Sequence, residues 1–212
     1  MTRILAIADE VDEALYGEKL RRLRPDLVLS AGDLPFDYLE YIVSRLDVPL
    51  LYVPGNHDRD LSAEDSTWAP LRAERPQRGP SGCINVDGRI VDAAGLRIAG
   101  LGGSVRYRDG PNQYSQAAMR RRAFLLEARG RVKHALDGRP TDILLSHAPP
   151  AGVGDGSDQA HRGFVAFHRL PKALGQRLLV HGHIHPYAAP QADRWLGEAQ
   201  VVNAIPSRLI DL

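Results

Sequence analysis

Five short stretches of this chain carry side chains able to hold a metal ion or move a proton, and each falls where an apolar run stops. Asp9 follows Arg3–Ala8, Gly32–Asp33 follows Asp26–Ser30, and Gly55–Asn56–His57–Asp58 follows Pro49–Val53. His147 closes Thr141–Ser146, and Gly182–His183–Ile184–His185 follows Leu178–His181. Asp9 and Asp33 bring charge, and one carboxylate can bridge two ions ~3.5–4 Å apart. Asn56 adds a neutral oxygen; His147, His183 and His185 add imidazole nitrogens. Mixed nitrogen and oxygen ligation without thiolate fits Mn, Fe, Zn or Co better than a pure Mg or Ca site. In an extended segment His183 and His185 project the same way, so they can address neighbouring ions. Taken singly, a Gly–Asp pair is an ordinary turn and a strand-end histidine an ordinary core residue. The five together, in this order, are not.

What must position these groups is a sheet whose strands end together. Arg3–Asp9, Asp26–Ser30 and Pro49–Val53 read as buried strands, with helices at Asp12–Leu23 and Pro35–Leu46 between them. That alternation implies right-handed crossovers and a parallel core. The polar, proline-rich stretch Asp58–Gly82 reads as a long surface loop. Short strands follow at Cys83–Asp87, Arg89–Asp92 and Leu96–Leu101, turning at Asp87–Gly88 and Gly95. Ser115–Leu136 is the longest helical stretch. Thr141–Ser146, Leu178–His181 and Gln200–Asn203 read as strands, Gly163–Leu174 as a helix, and Ser207–Leu212 as a closing strand. The pattern predicts α/β architecture, with mixed sheets flanked by helices. In open α/β sheets the carboxyl ends of the strands are where sites sit.

Bulk composition bounds the rest. With 27 Lys+Arg against 26 Asp+Glu, the net charge of +1 gives no electrostatic footprint for nucleic acid or an anionic membrane. The single cysteine, Cys83, excludes an intrachain disulfide framework and a thiolate zinc cluster. No run approaches the ~20 apolar residues of a membrane span, and Ile4–Ala8 is too short for a signal peptide's apolar region. The expectation is one cytoplasmic domain over residues 1–212, of no stated oligomeric state.

In order and spacing, these motifs resemble the calcineurin-like metallophosphoesterase family, whose pattern runs D-x-H, GD, GNH[DE], H and GHxH. The matches run from Asp9 to His185. The resemblance implies a four-layer αββα sandwich of two mixed sheets flanked by helices, with a two-metal centre at the strand ends. Carried over position by position, Asp9, Asp33 and His185 would hold the first ion. Asp33 as bridge, Asn56, His147 and His183 would hold the second. The ions would be divalent, from Mn, Fe, Zn and Mg. His57 resembles the family's catalytic histidine, beside the leaving-group oxygen. One position departs: where the family has the histidine of D-x-H, this chain has Val11, which cannot bind metal. The first site is therefore expected to be weaker and to prefer harder ions such as Mn or Mg. Glu10, Asp12 or water could fill the gap, Glu10 only if the strand turns after Asp9.

The expected activity is hydrolysis of a small phosphomonoester or phosphodiester. A metal-activated hydroxide beside Asp33 would attack phosphorus in line, and His57, when protonated, would donate a proton to the departing alkoxide. Arg106, in the Gly102–Tyr114 stretch, and Arg162, past His147, are the candidates for gripping substrate. Two alternatives compete. A protein-binding scaffold with a degraded centre predicts no bound metal; a nuclease of the same fold predicts steeply salt-dependent nucleic-acid binding.

Overall fold

The computed structural model describes residues 1–59, 79–186 and 191–212. Of the stretch read as a polar loop, residues 60–78 lie outside the described residues.

A five-stranded sheet has the order β13-β1-β2-β3-β4, formed by Ser207–Asp211, Arg3–Ile7, Leu27–Ser30, Leu50–Tyr52 and Ile84–Asn85. Strands β1 to β4 run parallel, and β13 closes the edge antiparallel to β1. A six-stranded sheet has the order β11-β12-β10-β9-β6-β5, from Arg194–Leu196, Ala199–Asn203, Leu178–His181, Ile143–Ser146, Leu96–Leu101 and Ile90–Ala93. Its four inner strands are parallel, and β5 and β11 are antiparallel edges. Both sheets are thus mixed. A small parallel pair, β7 (Ser104–Val105) and β8 (Gln113–Tyr114), lies apart.

Alternation along each strand builds four layers. Ile4, Ala6, Leu27, Leu29 and Leu51 of the first sheet share one buried core with Ile98, Ile143, Leu145, Leu178 and Val180 of the second. The alternate residues Leu5, Ile7, Val28 and Leu50 pack on Leu20 of α1 (Glu18–Leu23) and on Tyr38, Leu39 and Ile42 of α2 (Phe36–Arg45). On the far side Ala99, Leu144 and Leu179 meet Met119, Ala123 and Leu126 of α3 (Gln116–Asp137) and Leu170 and Leu174 of α4 (Leu170–Leu174). Strands covered on both faces read as continuous apolar runs, as parallel strands do. Each fully buried Leu or Ile contributes about 1.5–3 kcal/mol, and a one-residue slip would exchange the two faces. The register is therefore tightly held, and so are the strand ends.

Several expected elements come out differently. The helix expected over Asp12–Leu23 is a 3-10 turn, Glu13–Tyr16, followed by α1, because Gly17 lies extended between them. Gly163–Leu174 likewise divides into a 3-10 turn, Val165–Arg169, and α4. Pro171, which has no N–H to donate, sits in the first turn of that new helix. α3 spans nearly the expected range, capped by the Ser115 side chain, which accepts from the Ala118 N–H at 3.1 Å, and closed by Gly138. β1 stops at Ile7, two residues earlier than expected. Among the described residues, no helix is long and apolar enough to cross a membrane.

Candidate metal centre

The loops leaving β1, β2 and β3 of one sheet and β9 and β10 of the other converge on one edge. Asp9, Asp33 and His183 all have left-handed backbones, with φ of 59°, 56° and 67°. Such values are uncommon outside glycine and cost on the order of 1–3 kcal/mol each. Main-chain bonds hold them there. The Asp9 N–H donates to the Gly32 carbonyl (3.0 Å), and the His183 N–H donates to Asp9 Oδ2 (2.9 Å). The Asp33 N–H donates to Asp58 Oδ2 (3.0 Å). Each turn swings a side chain off its own strand and toward the neighbouring loops.

Lone pairs converge as a result. His147 is wholly buried, and its Nδ1 donates to the Ala31 carbonyl at 2.8 Å. Its Nε2 lies 3.0 Å from Asn56 Oδ1 and 3.3 Å from Asp33 Oδ2. Asn56 turns its oxygen inward because its amide nitrogen donates to the Tyr107 hydroxyl at 3.3 Å. His183 Nε2 donates to the Ala160 carbonyl (2.8 Å), which leaves Nδ1 as the free nitrogen. Asp9, His147 and His183 each offer a ligand atom, and these atoms all lie within 4.8 Å of one another.

The electrostatics show what the cluster wants. Burial pushes the Asp9 carboxyl up to about 6, against the pull of His147 and of the His183 N–H. Burial also opposes charge on His147. The Asp33 hydrogen bond and the charges of Asp9 and Asp33 outweigh it and hold the imidazole up at about 9. Burial, then the His147 charge, drives His183 down to about 3. The buried carboxylates thus draw one positive charge between them. Two carboxylates, an amide oxygen and two imidazoles held by one nitrogen each are the donors a divalent ion takes with mixed ligation, so these residues fit such an ion.

Two glycines keep this geometry open. A Cβ on Gly55 would stand 2.1 Å from Asp33 Oδ1, and one on Gly182 would stand 2.2 Å from Asp9 Oδ2. Asp58 Oδ2 also accepts the Gly55 N–H of its own loop at 2.7 Å, so with the Asp33 bond it ties the loop after β3 to that after β2.

His185 stands at the rim, its Nε2 3.8 Å from Asp9 Oδ1 and its Nδ1 2.8 Å from Glu10 Oε1. Val11 packs against the core beneath α1 and α2. His57 is exposed; its N–H donates to Asp33 Oδ1 at 2.8 Å, and its Nδ1 lies 3.5 Å from the Arg108 guanidinium. Arg106 points elsewhere, donating to the Gln113 carbonyl at 3.4 Å. Arg162 is exposed and touches none of these groups among the described residues. The arginine beside His57 is Arg108, which the sequence does not single out although it lies within the Gly102–Tyr114 stretch. That stretch sits on the Asn56 loop: the Gly103 N–H donates to the Pro54 carbonyl (2.8 Å) and the Asn112 amide to the Gly55 carbonyl (3.0 Å). Nothing in the local pattern distinguishes Arg106 from Arg108, because the β7–β8 pairing that orients them is not visible in it.

Comparison with known proteins gives the family and the fold. A family model described as calcineurin-like phosphoesterase matches residues 4–187. An uncharacterised protein of Haemophilus influenzae is 30% identical over 177 residues, covering 73% of this chain and 70% of that protein. The crystal structure of TT1561 of Thermus thermophilus shares the fold, with a TM-score of 0.61 at 20% identity, over 96% of this chain and 88% of that one. A second solved structure also has a TM-score of 0.61, at 16% identity, over 96% of this chain and 90% of that one. The four layers expected above are therefore the architecture found, and the chain belongs to the calcineurin-like phosphoesterase family.

Proposed function

We propose that this protein is a metal-dependent hydrolase of a small phosphomonoester or phosphodiester. The observation that carries the reading is the convergence of Asp9, Asp33, Asn56, His147 and His183 on one buried point, with His57 exposed beside it. A divalent ion bound there would lower the pKa of water toward ~7 and draw charge from a phosphoryl group. The protein's own groups do the rest. Asp33 lies between the two sets of ligands, one oxygen held by the His57 N–H and the other beside His147. It would be the carboxylate shared by two ions.

His57, exposed beside the cluster, would protonate the leaving oxygen. As an imidazolium it would give up its Nε2 proton and return to the neutral form; the Arg108 guanidinium lies 3.5 Å from its Nδ1. The same guanidinium is positioned to meet a substrate phosphate at the rim. A cavity of about 540 Å³ beside Asp33, His57 and Asp58, walled by Leu34, Pro35 and Phe36, is of small-molecule size.

The test is hydrolysis of phenyl and p-nitrophenyl phosphates and of bis-p-nitrophenyl phosphate, with added Mn, Zn, Fe or Mg. Wild-type protein should turn over at least one class, and Asn56→Ala should abolish turnover. His57→Ala should lower kcat about 10²–10⁴-fold, the range for general acid catalysis. Its deficit should be larger for phenyl than for p-nitrophenyl phosphate, whose leaving group needs less help. Inactivity with every metal would sink the reading.

A further inference from the structure

The position where a D-x-H motif would place its histidine is held by Val11, which cannot bind a metal and packs, partly buried, against the core. Asp12 is already committed: it accepts from Ser207 Oγ (2.6 Å), Lys19 Nζ (3.2 Å) and the Ala14 N–H (3.1 Å). Glu10 is different. Had β1 continued, Glu10 would point away from Asp9. Instead Asp9 turns left-handed, and the Glu10 N–H donates back to the Ala8 carbonyl at 2.6 Å. That tight turn brings the Glu10 carboxylate to His185, 175 residues away in sequence, at 2.8 Å from Nδ1.

We infer that Glu10 rebuilds the first metal site by holding His185 as an Nε2 donor, an inference that rests on the phosphoesterase reading. The chemistry is direct. An ionised carboxylate only accepts, so the His185 proton resides on Nδ1 and the Nε2 lone pair is free. That nitrogen is 3.8 Å from Asp9 Oδ1. Two donors bonded at ~2.0–2.2 Å to one ion can be up to ~4 Å apart, so both can serve the same ion.

The other two candidate histidines are held differently, His147 by the Ala31 carbonyl and His183 by that of Ala160. Both anchors are neutral. Of the three, only His185 is anchored by a carboxylate, which fixes the ring's tautomer and orientation as a ligand. The added charge falls at the site that has lost a ligand, and it favours a hard divalent ion such as Mn over a softer one. Glu10 and His185 are about half exposed, with side-chain accessibilities of 54% and 46%, so replacing Glu10 disturbs no core packing. Glu10 is a positioning residue here, acting through His185.

The experiment is calorimetric Mn titration of chelator-stripped wild type, Glu10→Ala and Glu10→Gln, with electron paramagnetic resonance of the loaded proteins. Wild type should bind two equivalents and show the signal of an exchange-coupled Mn pair. Glu10→Ala should bind the tighter equivalent unchanged, bind the other about 10–100-fold more weakly, and lose the coupled signal. Glu10→Gln, which keeps an acceptor oxygen but not the charge, should fall between them. Two equivalents bound equally well by all three proteins would overturn the inference and leave the phosphoesterase reading standing. One equivalent in wild type would do the same. No metal bound by wild type would overturn both.

Discussion

Asp58 binds no ion in this scheme, yet its removal should damage the centre as much as the loss of a ligand. Its Oδ2 accepts the N–H of Asp33 at 3.0 Å and that of Gly55 at 2.7 Å. Asp33 holds a left-handed φ of 56°, so the first bond also restrains a strained residue. In Asp58→Ala both N–H groups lose their acceptor. An unsatisfied buried group costs about 1–3 kcal/mol, so the pair costs about 2–6, and partial access to water at Asp33 brings the expectation to roughly 2–4 kcal/mol. Asp58→Asn keeps an acceptor and loses only the charge. Charged hydrogen bonds are worth about 1.5–3 kcal/mol and neutral ones about 0.5–1.5, so the two bonds lose about 2–3 kcal/mol; relief from burying the charge, which holds this carboxyl above its usual range, offsets part of it and leaves a loss of roughly 1–2 kcal/mol. Urea unfolding in the presence of chelator measures both. With a slope of ~3 kcal/mol/M, the alanine midpoint should drop by about 1 M. Mn affinity should fall in the same order, since Asp33 is no longer held. An alanine variant within ~0.5 kcal/mol of wild type, or an asparagine variant as damaged as the alanine one, would refute this hydrogen-bond accounting.

Two further outcomes follow from the packing. Gly182→Ala places a methyl 2.2 Å from Asp9 Oδ2, the oxygen that accepts the His183 N–H, and 2.7 Å from Ala8 Cβ. Metal affinity should fall sharply while stability drops by only about 1–3 kcal/mol; Gly17→Ala, with nothing within 4 Å of the new methyl, should leave binding unchanged. Equal metal affinities would show that Asp9 can move aside freely. Arg97, buried at 1% exposure, hydrogen-bonds Asp137 and Asp92 and thereby holds both carboxyls below the usual range. A depressed carboxyl stabilises the fold above its unfolded value of ~3.9, and that contribution disappears as pH falls through the folded value. The stability gap between wild type and Arg97→Met should therefore narrow on acidification below about pH 4. Parallel unfolding curves across that range would contradict the pairing.

Much of the molecule is legible from local pattern. The strands announce themselves because parallel strands buried on both faces need unbroken apolar runs, as in Leu27–Ser30 and Ile143–Ser146. α3 is legible for the same local reason, with Ser115 at its start and Gly138 at its end. The helices that divide do so at Gly17 and near Pro171, where regular apolar spacing masks the breakers. β11 is not legible, because it is a short, largely exposed edge held by pairing with β12.

For the site, sequence alone dictates which residues stand at the strand ends and what chemistry they offer. Strand periodicity and the glycines before Asp33, Asn56 and His183 are local properties, and together they put Asp9, Asp33, Asn56, His147, His183 and His185 at one edge. Where those side chains point is settled by tertiary contacts. Past the last strand residue, direction depends on the turn and on partners far away in the chain. The Ala31 and Ala160 carbonyls select the free nitrogens of His147 and His183. The Pro54 and Gly55 contacts bring Arg108, rather than Arg106, to His57. The left-handed Asp9 sends Glu10 to His185. Those contacts exist only once both sheets have packed, because each joins loops that the sequence keeps apart.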